Sequence, residues 1–165
     1  VLSVQLLDIS GNGLIDAEIV PAKGISMPLR KDGWHFNWRT MVKEKGVETY
    51  VLRTTVAQTV EGVLSLKLVN NEMLLMDVLE IAPHNVGRKN KRYDDVAGCL
   101  IAFACRKSFE LTGANRGFLA FVSKTNLIGW YIYKYGAEQA MRQNMFIAPE
   151  QGLKLINSYL VREDN

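Results

Sequence analysis

The stretch "APHNVGRKNKRYDDVAGCLIAFACRKSF", Ala82 to Phe109, decides how this chain is read. An apolar run from Met73 to Ile81 leads into it. Its first half is a basic loop carrying Arg88, Lys89, Lys91 and Arg92, with His84 at the start. Its second half is an apolar, small-residue segment with helical spacing. Such a loop suits three roles: solvated surface, a nucleic-acid contact, or a cradle for a phosphorylated cofactor.

The surrounding chain narrows these roles. Its 165 residues suit one domain, 1–165, with a sizeable core. With 48% hydrophobic and 22% charged residues, the composition is that of an ordinary soluble globular protein. The apolar stretches are too short to span a bilayer, and no basic segment leads into an apolar one as in a signal peptide, so no membrane partner is expected. A net charge of +3 is too small to argue for nucleic acid. Cys99 and Cys105 lie six apart in one predicted helix and do not face each other, which reads as two buried thiols in a reducing cytoplasm. No Cys/His spacing resembles a zinc site, and His35 and His84 are the only histidines, so no metal is expected.

Around the central stretch, "SVQLLDIS" reads as a first strand stopped by "GNG", and Pro21, Gly24 and Pro28 break the ambiguous segment that follows. "WHFNWRTMVKEKG" reads as helical from about Phe36 to Gly46, with Trp34, Phe36 and Trp38 anchoring it to a sheet or stacking on a ring ligand. "ETYVLRTT", "EGVLSLKLVN" and "EMLLMDVLEIA" form an antiparallel meander by pattern. "VAGCLIAFACRKSFELTG" is a helix with Leu100, Phe103, Ala104 and Leu111 on one stripe and Gly113 as its stop. "GFLAFVSK" is a short buried strand. "TNLIGWYIYKYG" is a helix capped by Thr125 and stopped at Gly136, and two short strands and a helix beginning at Pro149 close the chain. The tail "VREDN" reads as frayed. The strand–helix–strand step from Met73 to Lys124 implies one parallel pair in an otherwise antiparallel sheet, with a splay where a ligand can sit.

From Thr49 to Tyr159 the chain resembles the GNAT acyltransferases, which move an acyl group from acyl-coenzyme A to an amine. The strand "MLLMDVLEIAP" is followed by "RYDDVA", Arg92 to Ala97, similar to the family's Arg/Gln-x-x-Gly-x-Gly/Ala loop. "TNLIGWYIYKYGA" is similar to its later helix. The resemblance implies an α+β fold: a mixed, mostly antiparallel sheet flanked by helices and splayed at a parallel pair. It implies acetyl-CoA as cofactor and a small-molecule or protein amine as acceptor. A homodimer is compatible with such a domain.

The physical basis of the motif is anion binding, because a helix start leaves backbone N–H groups unpaired and its dipole is positive. The resemblance assigns the diphosphate to Arg92, Asp95, Val96, Ala97 and Gly98, with Lys91 nearby. Asp95 stands where the family has its first Gly, and its carboxylate can cap the same helix. The loop "HNVGRKN" is also longer than the family's. Backbone N–H groups of Leu79 and Ile81 resemble the family's donors to the acyl carbonyl and pantetheine amides, and Asn126 can bond the pantetheine arm.

Amine acylation needs a base, an oxyanion donor and an acid for the thiolate. Glu80 is the first choice of base and His84 the second. Tyr131 is preferred over Tyr133 as the acid, since two residues two apart on a helix cannot both face the cofactor. An acetyl-CoA-dependent N-acyltransferase is the leading reading. A GNAT-fold coenzyme A-binding or interaction module with little catalysis is the alternative. Nucleic-acid binding through Arg88–Arg92 comes third, weakened by Asp94 and Asp95.

Overall fold

A computed structural model of the chain describes residues 1–87, 89 and 91–160. Arg88 and the tail from Val161 therefore lie outside the described residues. In chain order the strands are β1 (Leu2–Asp8), β2 (Gly13–Pro21), β3 (Val47–Thr54), β4 (Val60–Val69), β5 (Met73–Ile81), β6 (Tyr93–Asp94), β7 (Leu119–Val122), β8 (Glu138–Gln139) and β9 (Asn144–Ile147). The helices are α1 (Trp38–Met41), α2 (Val96–Ser108), α3 (Ile128–Tyr135) and α4 (Pro149–Tyr159). Hydrogen bonding links the strands in the order β6-β1-β2-β3-β4-β5-β7-β9-β8. The sheet is mixed and mostly antiparallel, and its parallel pair is β5 with β7. That pairing covers Leu74–Met76 against Leu119–Phe121, while β5 runs on to Ile81.

The chain divides into two compact units, residues 1–65 with 78–100, and residues 66–77 with 101–165, so β4, β5 and α2 each contribute to both. In the first unit, β1 and β2 pair over seven residues from Leu2↔Ile19 to Asp8↔Gly13, and β2 continues onto β3. Trp34 and Trp38 are buried with Val20, Ala22, Met27, Val51, Val63 and Ala82. The aromatic segment is thus an anchor to the sheet, as its pattern suggested. The helix expected from Phe36 to Gly46 is only one turn, Trp38–Met41, started by Asn37, whose side chain accepts from the Thr40 N–H at 3.4 Å. Lys43, Glu44 and Lys45 are exposed, so lengthening the helix would bury nothing to offset the entropy of ordering it. On β4, Gly62 lies against the first turn of α2: a Cβ there would stand 2.8 Å from both Val96 Cγ1 and Leu100 Cδ1. Only a residue without a side chain lets helix and strand come this close.

In the second unit, β7 pairs antiparallel with β9, and β9 with β8. Leu119, Phe121, Met145, Ile147 and Leu155 are buried there with α2 residues Ile101 to Cys105. α2 ends at Ser108, five residues short of the expected stop at Gly113. Phe109, Glu110 and Leu111 each donate to the carbonyl three residues back, so the chain leaves the helix through tight turns. α3 begins at Ile128 after a 3-10 turn over Thr125–Leu127, so Thr125 is not its cap; the Thr125 hydroxyl accepts from the Gln143 amide at 3.1 Å. Gly136 ends α3 at φ 67°, and Pro149 opens α4, both as the sequence indicates. Cys99 and Cys105 are buried, and burial pushes the Cys105 thiol up to about 12. Among the described residues, no helix is long and apolar enough to cross a membrane.

Candidate anion-binding site at the start of the second helix

The site is built where β5 ends and α2 begins. After Ile81 the chain makes a 3-10 turn over Pro83–Asn85, and the basic loop returns as the two-residue strand β6. Sequence periodicity missed β6 because two residues carry no pattern. It pairs with the end of β1, Leu7 with Asp94 and Asp8 with Tyr93. The feet of the loop are tied together. The Arg92 N–H donates to the His84 carbonyl at 3.0 Å, and the Tyr93 N–H donates to the buried Asn85 Oδ1 at 2.9 Å.

Asp95 stands at the turn into α2 with φ +74°, a backbone conformation that favours glycine. The resembled loop has its first Gly at this position, and here Asp adopts a left-handed turn. Asp and Asn visit this region more readily than other side chains, because a short polar group can bond locally. The Cys99 N–H donates to the Asp95 carbonyl at 2.9 Å, which is the first bond of the helix. The N–H groups of Val96, Ala97 and Gly98 therefore belong to the turn that has no intrahelical acceptor. Val96 and Gly98 are buried and Ala97 half-buried.

The charges around this turn are mixed. Lys91 pairs with Asp94 at 3.2 Å, and the Asp95 N–H donates to Asp94 Oδ1 at 2.9 Å. The Arg92 guanidinium is exposed, with its carbon 5.3 Å from the centre of the Tyr93 ring. Its hydrogen bond with Tyr93, then the charges of Asp8 and Glu61, hold it further toward the protonated form. Asp8 at the end of β1 is held below the usual carboxylate range, first by the Ser10 hydroxyl at 2.6 Å, then by the Ser10 N–H at 3.0 Å, with Asn12 and Arg92 adding to it.

Leu79 and Ile81 sit on the stretch of β5 beyond its pairing with β7. The Ala82 N–H points to β4, where it donates to the Glu61 carbonyl at 2.8 Å. Successive N–H groups of a strand point to opposite edges, so those of Leu79 and Ile81 alternate with it along β5.

The base candidates have distinct surroundings. Glu80 is buried and accepts three bonds: from His35 N–H at 2.7 Å, Phe36 N–H at 3.3 Å and Trp38 Nε1–H at 2.8 Å. The sequence offers Glu80 as the first choice of base. In the structure both its oxygens hold the start of α1, which no local pattern could show across 42 to 45 residues. His84 directs Nε2 at both oxygens of Glu61, at 2.7 and 2.8 Å. Glu61 is fully buried on β4, and sequence reading gave it no role. Its only sequence signal is a carboxylate near the start of a mostly apolar strand.

In the second unit, Tyr131 is half-buried with its ring 4.8 Å from Phe121 and 5.0 Å from Trp130, and burial raises its hydroxyl. Tyr133 is 93% exposed, so the two tyrosines of α3 differ sharply in environment. Asn126 is exposed in the 3-10 turn. Among the described residues, no group of His, Cys, Asp and Glu is placed to hold a metal ion.

No protein-family model matches the chain, and no curated protein does. Solved structures do. A GNAT family acetyltransferase from Elizabethkingia anophelis with acetyl-CoA bound matches with TM-score 0.54 and 14% identity, over 75% of this chain and 77% of that one. An acetyltransferase of the GNAT family from Staphylococcus aureus Mu50 matches with TM-score 0.52 and 8% identity, over 81% of this chain and 99% of that one. The fold of this chain is the GNAT fold, with its parallel pair and its α2 crossover where the sequence resemblance put them. At such identities the likeness is one of fold, and function rests on the residues.

The role of Glu80 has a direct check. Removing the carboxylate in Glu80→Ala leaves three donors around Trp38 without their acceptor, at a cost of about 3 kcal/mol. Urea unfolding of that variant measures it. Unchanged stability would mean that the carboxylate does not hold α1.

Proposed function

We propose that this chain is an acyl-CoA-dependent N-acyltransferase, with acetyl-CoA as cofactor and a primary amine of a small molecule or a protein as acceptor. One observation carries the reading: Asp95 takes a left-handed, glycine-type turn at the start of α2, on the segment that follows a β5 edge outrunning its parallel partner. Sparsely populated backbone conformations cluster at ligand sites, and a helix start is a ready place for an anion. The Elizabethkingia protein, which shares the fold, is described with acetyl-CoA bound.

The residues present fit a diphosphate. The N–H groups of Val96, Ala97 and Gly98 would hold it, and Arg92 would add charge-assisted bonds. Leu79 and Ile81 would offer their N–H groups to the pantetheine amides and the acyl oxygen, and Asn126 its amide to the pantetheine arm. Bound acetyl-CoA supplies an activated thioester. Tyr131 would give its proton to the departing thiolate sulfur as the amine nitrogen bonds the acyl carbon and sheds its own proton to water; burial raises the tyrosine hydroxyl and so keeps it protonated, the form a donor needs. Glu80 would fix the α1 segment beside β5, the work its three bonds already do. The second reading, a module that binds coenzyme A or a protein with little catalysis, is favoured by the carboxylates of Asp94 and Asp95 at an anion site.

Calorimetric titration with acetyl-CoA tests the proposal, and absence of binding overturns it. Arg92→Ala is expected to weaken binding about tenfold. Unchanged affinity in a folded variant would place the diphosphate elsewhere. Asp95→Gly relieves a left-handed side chain and removes a negative charge close to an anion. It should tighten binding about fivefold and shift the melting midpoint by no more than about 2 °C. Equal or weaker binding would show that Asp95 does not oppose the cofactor. Tyr131→Phe is expected to lower kcat about a hundredfold with binding nearly unchanged, because a proton donor acts in the transition state. Tyr133→Phe should do neither. Binding without turnover on any amine would select the second reading.

A further inference from the structure

Asn85 is 1% exposed, and the proposed chemistry gives it no task. Its side chain bridges two segments. Oδ1 accepts from the Tyr93 N–H at 2.9 Å, and Nδ2 donates to the Glu61 carbonyl on β4 at 3.5 Å. These partners fix which way the amide points, because an N–H needs its oxygen and a carbonyl needs its nitrogen. The Asn85 N–H closes the 3-10 turn after β5 by donating to the Ala82 carbonyl at 2.8 Å. A buried amide satisfied at both ends is a strut, here between β4 and the residues that lead into α2.

What the strut holds is the backbone at Arg92. A residue has two soft backbone dihedrals, so fixing the peptide planes before and after it fixes the direction in which its side chain leaves. The plane before Arg92 is held by the Arg92 N–H, which donates to the His84 carbonyl at 3.0 Å. The plane after Arg92 is held at both its polar groups. Its carbonyl accepts from the Ile9 N–H at 3.0 Å, and its N–H, that of Tyr93, meets Asn85. Of these three bonds, only the one to Asn85 is made by a side chain, so it alone depends directly on residue type. The exposed Arg92 guanidinium then lies against the Tyr93 ring, its carbon 5.3 Å from the ring centre. A long side chain launched from a fixed backbone and resting on a ring gives up less freedom when it grips an anion.

We propose that Asn85 is a positioning residue for the diphosphate of the cofactor: it touches no part of the ligand and raises affinity by holding the peptide from which Arg92 projects. This rests on the proposed coenzyme A site and deepens it, since it ties cofactor affinity to a buried residue outside the Arg92–Ala97 motif. A residue that only kept the loop folded would matter as much without Arg92 as with it. A residue that acts through Arg92 matters only while the guanidinium is there.

Titration calorimetry with coenzyme A over a double-mutant cycle separates the two. Asn85→Ala is expected to weaken binding about fivefold and Arg92→Ala about tenfold, with circular dichroism spectra unchanged. In the double variant the losses should not multiply: its affinity should match that of Arg92→Ala alone within about twofold. Unchanged affinity in a folded Asn85→Ala overturns the proposal, and so do losses that multiply. If Asn85→Ala does not fold, Asn85→Ser decides in its place, a smaller truncation that leaves a side chain one atom shorter. If coenzyme A does not bind the wild type at all, the acyltransferase reading falls instead. The same cycle with inorganic pyrophosphate then decides Asn85: the same coupling to Arg92 upholds its role, and any other result overturns it.

Discussion

The close approach of α2 to β4 at Gly62 is the constraint from which the site follows. A side chain at this position would collide with Val96 and Leu100, the residues of the first turn of the helix. Gly62 therefore fixes where α2 begins relative to the strand. The chain must travel from the end of β5 to that point, and the turn at Asp95 is where it enters the helix in a left-handed conformation. Its neighbour Glu61 points to the opposite face, as successive strand residues do, and there it takes His84. Two consecutive residues of one strand thus set the start of the helix and the foot of the loop.

Buried carboxylates carry much of the organisation of this unit, and each is satisfied differently. Asp8 is satisfied locally, by Ser10 and Asn12 in the turn after β1. Glu80 is satisfied by neutral donors far away in sequence and so ties the Trp34–Trp38 segment to β5. Glu61 has a titratable partner. Hydrogen bonds from neutral donors stabilise a buried carboxylate without committing a cation. The same chemical group is therefore a turn lock, a tertiary strut and an anchor for the start of the basic loop in one small unit.

The second unit is organised by aromatic packing. On α3, Trp130, Tyr131 and Tyr135 lie within 5.0 to 6.2 Å of one another, and Tyr131 also meets Phe121 of β7. The 3.6-residue period puts Tyr131 and Tyr135 on one face and Tyr133 on another. That period is why two hydroxyls only two residues apart have such different environments.

The sequence by itself determined the strands of the meander, α2 and α4, the parallel crossover and the fold. These are written in local periodicity, in Gly136 and Pro149 as stops and starts, and in one loop motif. It also marked Arg92, Asp95 and Ala97, because the motif is contiguous. It could not show that Asp95 keeps a glycine's conformation, since a backbone angle is not encoded by residue type alone. Nor could it show that Glu80 is occupied by donors from residues 35–38, or that Glu61 meets His84 across 23 residues. Those pairings have no periodicity. They exist only once the sheet brings strand ends together, because a buried carboxylate takes whatever donor the tertiary fold delivers to it.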